Sequence, residues 1–388
     1  MLTETQAGRF FANQTYHYET LRALGYISAG GAEVGEVLEI IKLISEGDAN
    51  SWYGAWTALT GRVLTLAEHT SDPISKGRAY LRAHNYQRTG EFLLPADDSR
   101  RADSWGKTRT MFYKGLDALA VPYERISVPY EGAILRALYF PGADGSDKRP
   151  LIVAVGGFDS ILEELYFVVA ASARQRGYST LLYEGPGQGD ALRTFGLPFT
   201  HEWERPTSAV LEEFLRTHPA PAKIVLVGMS MGGYLAPRAA AFDERVDGVV
   251  AFDTLFDFGE TAGRILAGAA SPLASKNPDV MWAFGNARWT MGTTGIEDTA
   301  TASARYTLAS VADRIRQDVL ILAGADDHFV PSHQTADFEK ALVNARSVTA
   351  RAFDRLSGGA QHCQAGALAL FDAALFDWLG EKFAEPIR

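Results

Sequence analysis

Six short apolar runs, rich in β-branched residues, decide what most of this chain can become. They occupy residues 151–155, 180–183, 224–227, 248–252, 319–322 and 348–353, with longer stretches of mostly helical character between them. Most of these runs are continuously apolar, with no alternation of apolar and polar residues. That pattern belongs to strands covered on both faces, hence to a mostly parallel sheet with helices on either side. Ahead of them, residues 125–129 and 134–140 flank a turn at 130–133 and read as a hairpin. The expectation is therefore an eight-stranded, mostly parallel α/β sheet with an antiparallel start.

The first third follows a different grammar. Val34, Val37, Leu38, Ile41 and Ile44 fall on one face at helical spacing, and Gly47-Asp48 ends that helix. Further helices are expected from about 51 to 68, 74 to 94 and 99 to 118, with Pro73 and Pro95 at their borders. Residues 1–124 thus read as an all-helical module and 125–388 as the α/β domain. Within the latter, 258–306 lacks the strand rhythm and looks like a helical insertion. A chain of 388 residues is long enough for two such parts.

Composition narrows the function. A net charge of −10 repels phosphate backbones, so no nucleic-acid partner is expected. No apolar run approaches the length of a membrane span, and residues 1–5 show no basic start to an export signal. The lone cysteine, Cys363, makes no internal disulfide and suits a reducing, cytoplasmic setting.

The run 224–227 leads straight into Gly228-Met229-Ser230-Met231-Gly232, a G-x-S-x-G pattern followed by helical sequence. The bare pattern is weak, but a strand-to-helix turn at a serine needs small neighbours, which Gly228, Gly232 and Gly233 supply. Pro237 sits badly in the helix and predicts a kink or a loose first turn. A nucleophilic serine needs a base, and the base needs an orienting acid. In α/β-hydrolases these follow in the order serine, acid, histidine, at the ends of later strands. Asp327, followed by His-Phe-Val-Pro, is preferred over Asp326 as the acid, and His362, beyond the last strand, is the histidine. His17, His69, His84, His201 and His218 read as surface or packing residues, while His328 and His333 lie before the last strand. Cys363 reads as packing.

A tetrahedral intermediate also needs oxyanion donors. The backbone N–H of Met231 is one, and the N–H of Phe158, in the turn Gly156-Gly157-Phe158, is the other. The stretch Ser160-Ile161-Leu162-Glu163 reads as a capping box opening a helix, and Asp159 reads as a helix cap rather than a catalytic group. The run Glu184-Gly185-Pro186-Gly187-Gln188-Gly189-Asp190 has no lysine and is no phosphate cradle. Neither a metal nor another cofactor is expected.

Several stretches go further. The segment from Ala79-Tyr80-Leu81 to Gly90-Glu91-Phe92, the run Gly156-Gly157-Phe158-Asp159-Ser160 with Glu163-Glu164, the run 184–189, and His362-Cys363-Gln364 occur together. In this the chain resembles the α/β-hydrolases typified by 2,6-dihydroxypseudooxynicotine hydrolase and the fungal heptaketide hydrolases. The resemblance implies a serine hydrolase that cleaves a C–C bond beside a carbonyl in an acyl-arene or polyketide-like ketone. It puts the family's triad on Ser230, Asp327 and His362, and implies a homodimer. It also implies a helical N-terminal lid, making Asn85, Tyr86 and Arg88 candidate pocket residues, with helix-to-helix packing the alternative for Asn85 and Arg88. A site glutamate of the family falls near Glu260, with Asp253 and Asp257 as rivals. An ester, thioester or lactone would need the same apparatus, a cyclase or lyase could use the same site, and a ligand receptor on this scaffold is a further reading.

Overall fold

The computed structural model describes residues 9–142, 149–273 and 278–383. Residues 1–5, read above for an export signal, and the parts of 125–388 and 258–306 at 143–148, 274–277 and 384–388 lie outside the described residues. The chain divides into two compact units, Met1–Pro122 with Pro272–Asn286, and Tyr123–Ser271 with Ala287–Arg388. The segment 258–306, read from sequence as an insertion in the second part, is thus split between them. Among the described residues no helix is long and apolar enough to cross a membrane.

The first unit is helical: α1 (Gln14–Gly25), α2 (Val34–Ile41), α3 (Ala49–His69), α4 (Pro73–Glu91) and α5 (Arg100–Ala118). Its core is aromatic. Trp52 sits 5.0 Å from Tyr16 and 5.5 Å from Trp56, and Trp56 lies 5.7 Å from Tyr86. Helix α4 is buried on nearly every side from Ala79 onward, polar residues included. Those groups are paired: His84 with the Thr108 carbonyl at 2.9 Å, Gln87 with Ser104 at 2.9 Å, and Glu91 with Arg101 at 3.1 Å. Burial without such partners would cost about 1–3 kcal/mol per group. Trp282 explains why part of the segment 272–286 belongs here. Its indole N–H donates to the Phe92 carbonyl at 3.0 Å and its ring lies 4.7 Å from that of Phe92.

The second unit is built on one eight-stranded sheet in the order β1-β2-β4-β3-β5-β6-β7-β8. Its strands are β1 (Glu124–Tyr130), β2 (Ala133–Phe140), β3 (Leu151–Val155), β4 (Thr180–Tyr183), β5 (Ile224–Met229), β6 (Gly248–Phe252), β7 (Asp318–Gly324) and β8 (Ser347–Phe353). β1 pairs antiparallel with β2, and β2 antiparallel with β4; the pairs from β4 through β8 are all parallel. Strands β3, β4, β5 and β6 are buried at every position, as their continuous apolar runs require. Helices α6 (Ala171–Gln175), α7 (Gly189–Arg193), α8 (Glu204–Thr217), α9 (Gly232–Ala240), α10 (Phe258–Ala270), α12 (Ile296–Ser303), α13 (His333–Ala341) and α14 (Leu368–Phe383) belong to this unit, and α11 (Pro278–Met291) runs across the division. Parallel pairing brings the ends of β3, β5, β6, β7 and β8 to one edge: Val155 pairs with Gly228, Met229 with Phe252, Phe252 with Leu322, and Gly324 with Phe353. Loops leaving that edge carry the site.

Candidate active site

Ser230 occupies the turn between β5 and α9 with φ 59°, a left-handed conformation rare for a residue with a side chain. Its neighbours leave no room for larger residues. A Cβ on Gly228 would lie 1.8 Å from the Gly232 carbonyl oxygen, and one on Gly233 would lie 1.7 Å from that of Asp253. This is the crowding the G-x-S-x-G reading anticipates. Helix α9 nevertheless runs unbroken from Gly232 to Ala240 through Pro237, whose carbonyl accepts from the Ala241 N–H at 3.0 Å. Its first turn is closed by i→i−3 bonds, Gly233 N–H to the Ser230 carbonyl at 2.7 Å and Tyr234 N–H to that of Met231 at 2.9 Å.

The three groups read as a triad converge. His362 Nε2 lies 2.8 Å from Ser230 Oγ, and His362 Nδ1 lies 2.6 Å from Asp327 Oδ2. The second carboxylate oxygen of Asp327 accepts the N–H groups of Phe329 at 2.7 Å and Val330 at 3.0 Å. Burial alone would raise the Asp327 pKa; the His362 charge and these N–H donors overcome it and bring it to about 2. Burial alone would likewise lower that of His362, but the Asp327 carboxylate outweighs it and holds the imidazole well above its ordinary value. Asp326, the rejected rival, turns to the largely exposed Arg355.

The turn after β3 presses on the nucleophile: a Cβ on Gly157 would lie 2.6 Å from Ser230 Cβ. Its Gly157 N–H donates to Ser160 Oγ at 2.9 Å, and Gln188 Nε2 donates to the Gly156 and Gly157 carbonyls, each at 2.8 Å. The Phe158 ring stacks on Phe199, with centroids 5.6 Å apart, and lies 5.5 Å from Phe258. Phe158 and Met231 thus begin the segments that follow Gly157 and Ser230, which nearly touch. The capping box at Ser160 is a correction. Regular helix does not start there; a π-helical turn (Tyr166–Ala170) precedes α6. Glu163 is drawn instead to Arg136 at 2.8 Å. Arg136 also grips Glu184, at 2.9 and 2.8 Å, and Asp190 at 3.0 Å, so one buried guanidinium ties the β3 turn to the 184–190 run that carries Gln188. Arg136 was unmarked in the sequence, and Gln188 was visible only as part of the family-like run.

The remaining candidates have close partners of their own. Tyr86 is fully buried in the first unit, its hydroxyl donating to Glu36 at 2.7 Å and accepting from the Glu33 N–H at 2.8 Å. Arg88 pairs with buried Glu19 at 3.3 Å and lies over the Phe92 ring. Asn85 bonds the Ala23 and Gly31 carbonyls at 3.0 and 2.8 Å, which is helix-to-helix packing. Glu260, in the first turn of α10, is partly exposed and engaged with His333 at 3.1 Å and Gln334 at 2.9 Å; Asp257 caps that helix through the Glu260 N–H. Asp253 is 1% exposed and lies beside the imidazole, 3.6 Å from His362 Nδ1. Its Oδ2 accepts the Cys363 N–H at 2.8 Å, and Cys363 itself takes a left-handed φ of 49°. Asp253, His362 and Cys363 present the one group of metal-ligand type among the described residues, with ligand atoms within 4.8 Å of one another. Burial pushes the Cys363 thiol up, and the imidazole is already held between Asp327 and Ser230, so the set does not fit a resident cation.

Residues 151–363 match the model of the alpha/beta hydrolase family. The chain is also 32% identical over 420 residues to the hydrolase acrC of Aspergillus aculeatus, covering 97% of this chain and 98% of that one. The chain belongs to the alpha/beta hydrolase family. It is therefore an enzyme of that fold, as the motif resemblance implied. It is likewise 32% identical over 413 residues to the 20-hydroxy-prefusarin hydrolase FUS2 of Gibberella moniliformis, at 97% and 98% coverage. Among solved structures, the 2,6-dihydroxy-pseudo-oxynicotine hydrolase superposes with a TM-score of 0.72 at 20% identity, over 93% of this chain and 96% of that one. At that identity the likeness speaks for the fold, helical N-terminal region included.

Proposed function

We propose that this enzyme is a serine hydrolase that cleaves a C–C bond beside a carbonyl in an acyl-arene or polyketide-like ketone. The observation that carries the serine chemistry is the continuous chain Ser230 Oγ, His362, Asp327, with links of 2.8 and 2.6 Å. His362 takes the Ser230 proton as Oγ bonds to the substrate carbonyl carbon. The negative charge on the carbonyl oxygen is held by the N–H groups of Phe158 and Met231. Collapse of that intermediate breaks the bond to the leaving carbon, which departs with the electron pair and takes the proton from His362. Water then attacks the acyl-serine, giving its proton to His362, and Ser230 recovers its own on release of the acid. Breaking C–C this way requires a leaving carbon that tolerates negative charge, such as a phenolic ring or a β-dicarbonyl.

The names of the relatives point to elaborate small molecules as substrates: one is a 20-hydroxy-prefusarin hydrolase, and a structural neighbour is a 2,6-dihydroxy-pseudo-oxynicotine hydrolase. The reading includes a small-molecule substrate, a cytoplasmic setting suited to the one cysteine, no bound cofactor and a homodimer. The deciding experiment incubates the enzyme with aryl ketones, β-diketones and aryl esters and weighs the products by mass spectrometry. Cleavage of the ketones to an acid and a reduced-carbon arene or ketone fragment is expected. Turnover of esters alone refutes the C–C reading, and no covalent acyl-serine at Ser230 refutes the serine mechanism.

A further inference from the structure

Two carboxyl groups, not one, face the imidazole of His362. Asp327 binds Nδ1 at 2.6 Å, and Asp253 Oδ2 stands 3.6 Å from the same nitrogen. The two acids come from the ends of adjacent strands, β7 and β6, so that the Asp327 charge acts directly on Asp253. Asp253 also fastens the loop that carries the base: its Oδ2 accepts the Cys363 N–H at 2.8 Å and its Oδ1 faces Gln364 Nε2 at 3.4 Å. All of these groups are buried, Asp253 at 1% exposure and Gln364 at 0%.

We propose that Asp253 is a positioning residue of this site, anchoring the His362 loop through the Cys363 N–H and setting the basicity of His362 through its carboxyl. This deepens the serine-hydrolase reading and rests on it. The groups facing Asp253 are Asp327 from the β7 turn and His362 and Cys363 from the loop after β8. Two ionised carboxylates against one imidazole in a buried site repel each other, so one keeps its proton. Asp327, with two backbone N–H donors and the imidazole, is the one that stays ionised. Asp253, which burial and then the Asp327 charge push up to about 8, is the one that keeps it near neutral pH. The buried Gln364 Oε1 has no partner when its Nε2 faces Asp253; turned over, the amide would accept the Asp253 O–H. As pH rises and Asp253 ionises, its charge stabilises the imidazolium, so His362 becomes a free base only at still higher pH.

The test uses the full-length enzyme and a fluorophosphonate, whose phosphorus bonds to Ser230 Oγ with loss of fluoride while His362 takes the proton. The rate of this reaction is followed against pH in the wild type and in D253N and D253A. Asparagine keeps an acceptor for the Cys363 N–H but cannot ionise. D253N should hold the plateau rate within about threefold, with the acid limb moved down by about one pH unit. D253A, which strands that N–H, should lose about 10²-fold of the plateau. A D253N limb at the wild-type pH, or a D253A plateau equal to the wild type, overturns the proposal. If D253A is not recovered folded, the D253N limb alone decides. Failure of the underlying reading looks different: wild-type enzyme would then not be labelled at Ser230 at all.

Discussion

The approach of Gly157 to Ser230 gives a sharp test of how the site is assembled. In Gly157→Ala the new methyl would lie 2.6 Å from Ser230 Cβ, 2.9 Å from Ser230 Oγ and 3.1 Å from the Met229 carbonyl oxygen. Carbon atoms in comfortable contact sit about 3.6 Å apart, so the turn and the nucleophile must separate by about 1 Å. Neither side yields easily. Ser230 is locked by the strand-to-helix turn, and the Gly156–Gly157 turn by Ser160 and both Gln188 bonds. Overpacking of this kind costs about 1–3 kcal/mol of stability. A 1 Å misplacement of reacting groups costs on the order of 10²-fold in rate. Turnover of an aryl ester and fluorophosphonate labelling should therefore both fall about 10²-fold, while the far-ultraviolet circular dichroism stays native. Gly61→Ala is the control, because a Cβ there meets nothing within 4 Å. That variant should keep full activity and, lying inside α3, gain up to about 1 kcal/mol. Wild-type turnover in Gly157→Ala would refute the placement of the oxyanion turn against the nucleophile.

Other variants probe separate parts of the argument. Asp327→Asn should cut kcat by about 10⁴-fold by leaving His362 in the wrong tautomer, whereas Asp326→Asn, which loses only the Arg355 pair, should stay within about twofold; equal losses in steady-state assays would reverse the choice of acid. Because Asp327 holds the His362 pKa up, the base is lost as pH falls through that raised value, so the acid limb of kcat/KM should lie above about 6.5, the ordinary imidazole value. Arg136→Leu leaves Glu163, Glu184 and Asp190 without their shared cation and should cost about 3–5 kcal/mol in denaturant unfolding. Cys363→Ser should be nearly silent in kcat, since burial pushes the thiol pKa up and the neighbouring imidazole is already held between Asp327 and Ser230; a large loss would reopen the thiol as nucleophile.

The centre of the sheet was legible because β3, β4, β5 and β6 are buried at every position, and burial writes itself as near-continuous Val, Leu, Ile and Ala. All eight strands lie where those runs and the hairpin placed them, within a residue or two at their ends. Helix α4 was harder. Its interior faces its neighbours on all sides, so the 3.6-residue rhythm fades and polar residues such as His84, Asn85 and Gln87 look like surface while they are core. Nothing in a sequence says which distant carbonyl or serine will satisfy them. The same blindness covers Trp282, whose pairing with Phe92 joins segments 190 positions apart and draws part of the apparent insertion into the first unit.

Within the site, legibility followed the strength of local constraint. Ser230, Asp327 and His362 each sit on a loop at a strand end, with local signals that chemistry demands: glycines around the serine, and a last-strand histidine after the acid. Asp253 had none. It too follows a strand end, yet one carboxylate after β6 reads as any turn residue, and its meaning arises only when β6 and β7 pair so that Phe252 meets Leu322. The register brings the two acids to one imidazole, and the loop after β8 brings the Cys363 N–H to Asp253. A sequence can declare which residues are able to do proton chemistry; which of two carboxyl groups holds the proton is decided by donors and charges that only the folded chain brings together.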